Sequence, residues 1–448
     1  MNEPSRPDRV DRRWVLGGAA GAALVGLAAC SRTPVPPQLP EVMPGGPRID
    51  VRTVGAVGDG QADDTKAFAT ALEQAGEERA VYIPTGTYRL TGLPDITRYT
   101  TILGDGPDKS LLIHQGEGPL FNLAGTNRAS FRSFGVHLVH PSGMGMRLRG
   151  AFMCGFDDVI LRGDHQGTNF PQYAGQVGVE LIENSGANTF TNCFFTNLGV
   201  GLRTACIQNY VAGCRFLTNR VGVLGVRNGA NAGLSIVDSE FTSDTHPETT
   251  DAHLLVEGIA NVWWLTNLWF EGCDTAVRVG DANGGPAQFG LVNCKLAARR
   301  VVLDLRRCGQ AYLASVALDP DAGSSPAPLA IDPRGCPTGT AEELIVDQRR
   351  PVEAAAFPPG WTVQGGGQRS GGEFLGPLQL RGRPGQPLAD HRDAAGTRVG
   401  GVLADGSLIS DSPTAGVVLR GANGRYYRLV VNAEGQLAPL DLGTDRPS

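Results

Sequence analysis

The sequence predicts an all-β chain wound as a right-handed, single-stranded parallel β-helix, with an N-terminal capping helix and a small C-terminal β module. Three observations carry this reading. Glycine and proline are abundant, 62 and 30 of 448 residues, and helix-favouring stretches are few, which favours many short strands joined by turns. A quartet recurs as Asn192-Cys193-Phe194-Phe195, Gly213-Cys214-Arg215-Phe216, Asp238-Ser239-Glu240-Phe241, Asn267-Leu268-Trp269-Phe270 and Asn293-Cys294-Lys295-Leu296, and the steps from Phe195 through Phe216, Phe241 and Phe270 to Leu296 are 21, 25, 29 and 26 residues. Between the strands of this column, which extends upstream, lie second strands with a glycine-apolar signature: Gly145-Met146-Arg147-Leu148, Gly178-Val179-Glu180-Leu181, Gly201-Leu202 and Gly222-Val223.

A solenoid explains the repetition. One rung cannot bury its apolar face alone, so rungs stack and each position becomes a column of like residues. Val136 and Leu161 fit the phenylalanine column upstream, and Leu318 is its expected last member. Cys193, Cys214 and Cys294, with Ser239, read as an internal column in which cysteine acts as a small hydrophobe. A disulfide there is possible in an exported protein but not required.

The chain divides into a signal (1–30), a proline-rich tether (31–48), the parallel β-helix (49–320), an irregular linker (321–371) and the C-terminal β module (372–448). Arg12 and Arg13 precede an apolar run from Trp14 to Ala29, too short for a comfortable membrane span. The twin arginine resembles a Tat export signal, and Leu27-Ala28-Ala29-Cys30 resembles a bacterial lipobox. These resemblances imply lipidation at Cys30 and a protein anchored to the bacterial cell envelope, periplasmic or at the cell surface. A plain membrane anchor, or cleavage without lipid, is the alternative. A net charge of -6 gives no basic footprint for nucleic acid, and no cysteine or histidine spacing suggests zinc or another cofactor.

The folded part opens with Val54-Gly55-Ala56-Val57-Gly58-Asp59-Gly60 and Asp63-Asp64-Thr65. Ala67, Phe68, Ala71, Leu72 and Ala75 follow at helical spacing, with Asp63 or Asp64 placed as N-cap. Next come the strand pair Ala80–Leu90, broken at Pro84-Thr85-Gly86, and the strand and turn Thr101–Gly106. This order over 49–106 resembles the opening of the pectate-lyase superfamily. The resemblance implies the β-helix and leaves activity open among hydrolases, lyases, epimerases and non-catalytic spikes. The catalytic signatures of polygalacturonases are missing, apart from Asp157-Asp158, which reads as a structural turn.

Alternation along the strands puts Phe194, Arg215, Glu240, Trp269 and Lys295 in one outward column, and Thr196, Leu217, Thr242, Glu271 and Ala297 in the next. Glu240 and Glu271 become diagonal neighbours with Cβ atoms roughly 8 Å apart, compatible with the pair of an inverting glycosidase at about 6.5–9.5 Å. One would serve as general acid and the other as base, with Trp269 as a stacking face for a sugar. Arg215 and Lys295 complete the candidate site, unless these charges are a solvated surface ladder. Two insertions, 162–173 and 243–251, add Asp164, His165, Tyr173, Asp244 and His246 as candidate substrate contacts.

The resemblance to the pectate-lyase superfamily implies a polysaccharide partner, bound by the protein or cleaved by it as a hydrolase or lyase. The alternative is a non-catalytic glycan-binding or scaffold protein. The hairpin patterns around 400–409 and 426–437 superficially resemble C-terminal modules of phage tail spikes. That resemblance implies a homotrimer, with a monomeric β cap as the alternative.

Overall fold

The structure, a computed structural model, describes residues 47–167, 170–206, 208–226, 233–243, 247–347, 350–364, 389–392, 397–403, 405, 407–411, 417–432 and 434–445. The signal with Cys30, and the tether up to residue 46, lie outside the described residues. The chain divides into two compact units: residues up to Val256 with Leu268–Asp274, and Glu257–Asn267 with the chain from Thr275 onward.

The first unit is a parallel β-solenoid. One ladder runs through Gly118–Ala124, Gly143–Arg149, Val177–Ile182, Val200–Thr204, Val221–Gly225 and Ala252–Val256, each strand parallel to the next. These are the glycine-apolar strands of the sequence. A second ladder carries the quartets, through Gly155–Arg162, Phe194–Thr196, Arg215–Leu217, Glu240–Thr242 and Trp269–Glu271.

In-register pairing makes the expected columns. Val136, Leu161, Phe195, Phe216, Phe241 and Phe270 face one another in sequence. The last four rings stack nearly parallel, at centroid separations of 4.6, 4.5 and 4.6 Å. Phe131, Phe156 and Phe190 form a second stack at 5.1 and 4.7 Å. Such offset aromatic contacts add about 0.5–1.5 kcal/mol per pair beyond area burial.

The corner at the first residue of each quartet, and at the matching position upstream, has one cause. Ser133, Asp158, Asn192, Gly213 and Asp238 all have φ between 50 and 63°, the left-handed region. Asn, Asp and Gly tolerate that conformation, whereas a branched residue is strained there. Asp158 is thus a structural corner. Asp157 beside it accepts hydrogen bonds from Thr191 Oγ1 (3.0 Å) and Asn192 Nδ2 (3.2 Å).

The opening helix spans Thr65–Ala75 and buries Ala67, Phe68, Ala71 and Ala75. Phe68 meets Tyr88 edge-on at 5.3 Å. Asp64 is the N-cap residue, but its carboxylate makes no cap hydrogen bond. It turns back to accept from Val57 N (2.6 Å) and Gly58 N (3.2 Å), tying the opening turn to the helix. Asp63 accepts from Thr65 N and Asp59 from Gln61 N and Ala62 N.

All eight described cysteines are buried free thiols. Burial raises the Cys154 thiol to about 11 and the Cys336 thiol to about 12, which disfavours the reactive thiolate.

The second unit contains its own parallel ladder through Ala260–Thr266, Pro286–Ala298, Gln310–Pro320, Gly339–Val346 and Trp361–Gln364. The sequence reading needs correction here. Leu318 is not the last column member, since it faces Val346, and the described part of 321–364 is not an irregular linker. Ala327–Ile331 pairs in parallel with Val301–Leu305, and Leu344, Phe357 and Trp361 are buried. The prolines misled because Pro328 lies in the last strand of its sheet, where a missing N–H breaks no ladder.

Toward the C-terminus are two three-stranded antiparallel sheets. Arg398–Val402 pairs with Ala389–Arg392 and Leu408–Ser410, and Tyr426–Val431 with Val418–Arg420 and Leu437–Gly443. Both hairpins read from the sequence are present.

The aromatic stack predicts a steep local cost. Phe216→Ala should lower the unfolding free energy by about 3–5 kcal/mol, read as a fall in the urea midpoint at unchanged slope. A loss below 1 kcal/mol would mean that the column is not a packed stack.

Candidate functional site

Glu240 stands directly between Arg215 and Trp269 in the parallel register, and Glu271 lies opposite Thr242. The diagonal relation expected for the two glutamates is therefore present. Arg215 Nε lies 3.4 Å from Glu240 Oε2. The Trp269 indole N–H donates to Glu271 Oε2 at 2.7 Å, because residues i and i+2 share a strand face. The ring is 46% exposed, with its orientation fixed by that hydrogen bond.

The surroundings suit binding better than acid catalysis. A glycosidase general acid depends on a desolvated carboxyl. The Glu240 side chain is 45% exposed beside a guanidinium. Residues at the neighbouring column are less exposed than alternation implied: Thr196 and Thr242 are buried and Glu271 is half-buried. Lys295 lies in the second unit, opposite Ala317.

The insertions are built differently from the expectation of two open walls. His165 is buried. Its Nδ1 lies 2.6 Å from Phe170 O and its Nε2 2.9 Å from Thr249 O, so the ring ties the first insertion to the second. This is a correction to its role as a substrate contact: the ring is buried where the two insertions meet, with a nitrogen beside each of two backbone carbonyls, one of which accepts its N–H. Asp164 is half-buried and lies 3.0 Å from His137 Nε2. Tyr173 is half-buried in the turn before Gln176. Asp244 and His246 lie outside the described residues.

Several polar groups were missed. His137 belongs to the column Ile113, His137, Arg162 and Thr196. Glu180 is held between Arg147 Nε and Arg203 Nη2. A signal for the latter was available, since all three follow the same glycine-apolar start. His253 lies buried behind the site, near Phe241 and Phe270, with Nε2 2.7 Å from Glu271 O. Among the described residues no cluster of three or more His, Cys, Asp and Glu side chains could hold a metal ion.

Comparison with known proteins fits this architecture. Residues 48–129 match the family described as rhamnogalacturonase A/epimerase, pectate lyase-like, the segment where the sequence resemblance begins. No curated protein matches the chain. Among solved structures, the Dettilon tailspike protein gp208 is similar at 11% identity, covering 70% of this chain and 68% of that one, with a TM-score of 0.52. The gp42 tailspike of Acinetobacter phage vb_AbaP_AS12 is 10% identical over 90% of this chain and 83% of its own, with a TM-score of 0.45. The catalytic unit of the GH87 α-1,3-glucanase from Streptomyces thermodiastaticus is 15% identical over 74% and 70%, with a TM-score of 0.39. The first of these shares the β-solenoid fold.

His253 gives the site a pH signature. Burial pushes its imidazole down to about 4, against about 6.5 in an unfolded chain. Between these values the unfolded chain binds the extra proton, so this stability is fully present above about pH 6.5 and is lost as pH falls through 4. Burial lowers His114 in the same direction. Unfolding at pH 7 and pH 4 should differ by up to about 3 kcal/mol from His253, and His253→Gln should remove that part of the slope. An unchanged slope in the variant would assign the pH dependence elsewhere.

Proposed function

We propose that this is an exported, lipid-anchored protein that binds polysaccharide on the outward face of its solenoid. The observation that carries this is the exposed Trp269 indole, fixed by Glu271 beside Glu240 and Arg215. A flat apolar ring bordered by charged acceptors and donors matches a sugar, which has an apolar ring face and hydroxyls at its rim. The family description matched by residues 48–129 supports a saccharide ligand. Export rests on Arg12-Arg13 and anchoring on Cys30. The coil is taken as right-handed, the hand that twisted parallel strands favour. In a catalytic form of this function, Glu240 and Glu271 would act as acid and base across a glycosidic bond.

A glycan screen scoring binding, new reducing ends and unsaturated products tests both forms. Trp269→Ala should weaken binding about tenfold. Glu240→Gln and Glu271→Gln should change affinity without creating or abolishing product. Product formed by the parent and lost in both glutamine variants would replace the binding function with the catalytic one. Absence of any glycan binding would remove both.

A second function, assembly of chains, is favoured by the C-terminal sheets. Among the described residues from 397 to 445, only Gly400 and Gly401 are buried. Leu419, Tyr427, Leu429, Pro439, Val431 and Leu437 share one face of the last sheet by register and alternation, with Asp441 opposite Tyr427 and paired with Arg425. Three strands need a covered apolar face for stability, and other copies of the chain would supply it as a homotrimer. Sedimentation should give three chains per particle, and Leu429→Asp with Val431→Asp should dissociate it. A monomeric parent chain would refute this assembly.

A further inference from the structure

We propose that the second unit carries a separate binding site for an uncharged glycan chain, centred on Trp264 and Tyr312. The site follows from register. Trp264, Gly290, Tyr312 and Thr340 face one another along the ladder, with Val262, Gln288 and Gln310 in the column before and Thr266, Val292, Ala314 and Glu342 in the column after. Trp264 is 42% exposed and Tyr312 40%.

Gly290 is the informative residue. Its φ lies outside the left-handed region, so its backbone conformation does not call for glycine. A β-carbon there would sit 2.6 Å from Cε3 and 2.9 Å from Cζ3 of Trp264. The indole therefore lies down over the glycine and covers it, leaving its other face to solvent. Glycine inside a strand costs about 0.5–1 kcal/mol against alanine. At this position the missing side chain makes room for an exposed ring.

Tyr312 extends the platform. Its backbone stands two rungs from that of Trp264, roughly 10 Å along the ladder, and the indole lies over the rung between them, so the two rings border one strip of the outer face. Its Oη lies 3.3 Å from Glu342 Oε2. The exposed Gln288 and Gln310 face each other beside the rings, and their amides offer both donors and acceptors to hydroxyls.

The charge pattern selects the ligand. None of these three columns contains Lys or Arg, and Glu342 is their one carboxylate. A polyuronate would meet repulsion and no cation, whereas a neutral glycan meets rings, amides and an acceptor. A protein partner fits less well. The two rings and the half-buried Val262 and Val292 are interrupted by Gln288, Gln310, Thr340 and Glu342, which does not make the contiguous apolar patch of a stable protein interface.

Affinity electrophoresis of the full chain tests this, with a soluble β-glucan, dextran, hydroxyethylcellulose and polygalacturonate in the gel. At least one neutral polymer should retard the protein more strongly than polygalacturonate. Trp264→Ala and Tyr312→Ala should each weaken that retardation about tenfold, while Trp264→Phe retains most of it. Equal melting temperatures confirm that each variant is folded. Retardation unchanged in folded Trp264→Ala, stronger retardation by polygalacturonate, or a change of oligomeric state in Trp264→Ala would each overturn the proposal. Trp269→Ala serves as the control. Loss there without loss in Trp264→Ala would overturn this site and leave the first-unit site standing.

Discussion

Each turn of the solenoid must return to the same corner in the same register. The left-handed residue at Asn192, Gly213 and Asp238 meets that constraint by bending the chain at one fixed point, the first residue of each quartet. Once the corner is fixed, alternation decides what faces inward. Phe195, Phe216, Phe241 and Phe270 then fall into one stack, and the residues beside them are left to solvent. A slip of one residue would exchange Phe241 for Glu240 in the core. Burying an unpaired carboxylate in place of a stacked ring is too costly for that alternative to compete.

Much of this was legible because the corner and the stack both restrict residue type. The Asn/Gly/Asp start and the Phe finish of the quartet record two physical demands at a fixed offset. The link between Asp64 and the opening turn was not legible, since the same residue satisfies a helix cap on paper. The described part of 321–364 was misread because proline content was weighed without knowing that Pro328 lies in an edge strand. The insertions were misread because a histidine that crosslinks two loops through carbonyl groups looks, in sequence, like one that faces a ligand.

The candidate site was legible in position and less so in chemistry. Register alone placed Glu240 next to Arg215 and Trp269, as found. What sequence could not supply was how each carboxylate is held: Glu240 by a guanidinium and Glu271 by an indole N–H. Those partners set fixed donors, acceptors and a flat ring side by side on the outer face. The solenoid separates its two tasks in this way. Inward columns maintain the coil, and outward columns can vary rung by rung without disturbing it. Trp264 over Gly290 follows the same division, since Gly290 gives up a side chain on the outer face only.

The register of the core is the claim on which the surface assignments rest. A double-mutant cycle on Phe216 and Phe241, using leucine at each position, measures it directly in unfolding free energy. Stacked neighbours should show a coupling of about 0.5–1.5 kcal/mol. The pair Phe195 and Phe241, two rungs apart, should be additive within about 0.5 kcal/mol. Additivity for the neighbours, or equal coupling for both pairs, would contradict the in-register stack.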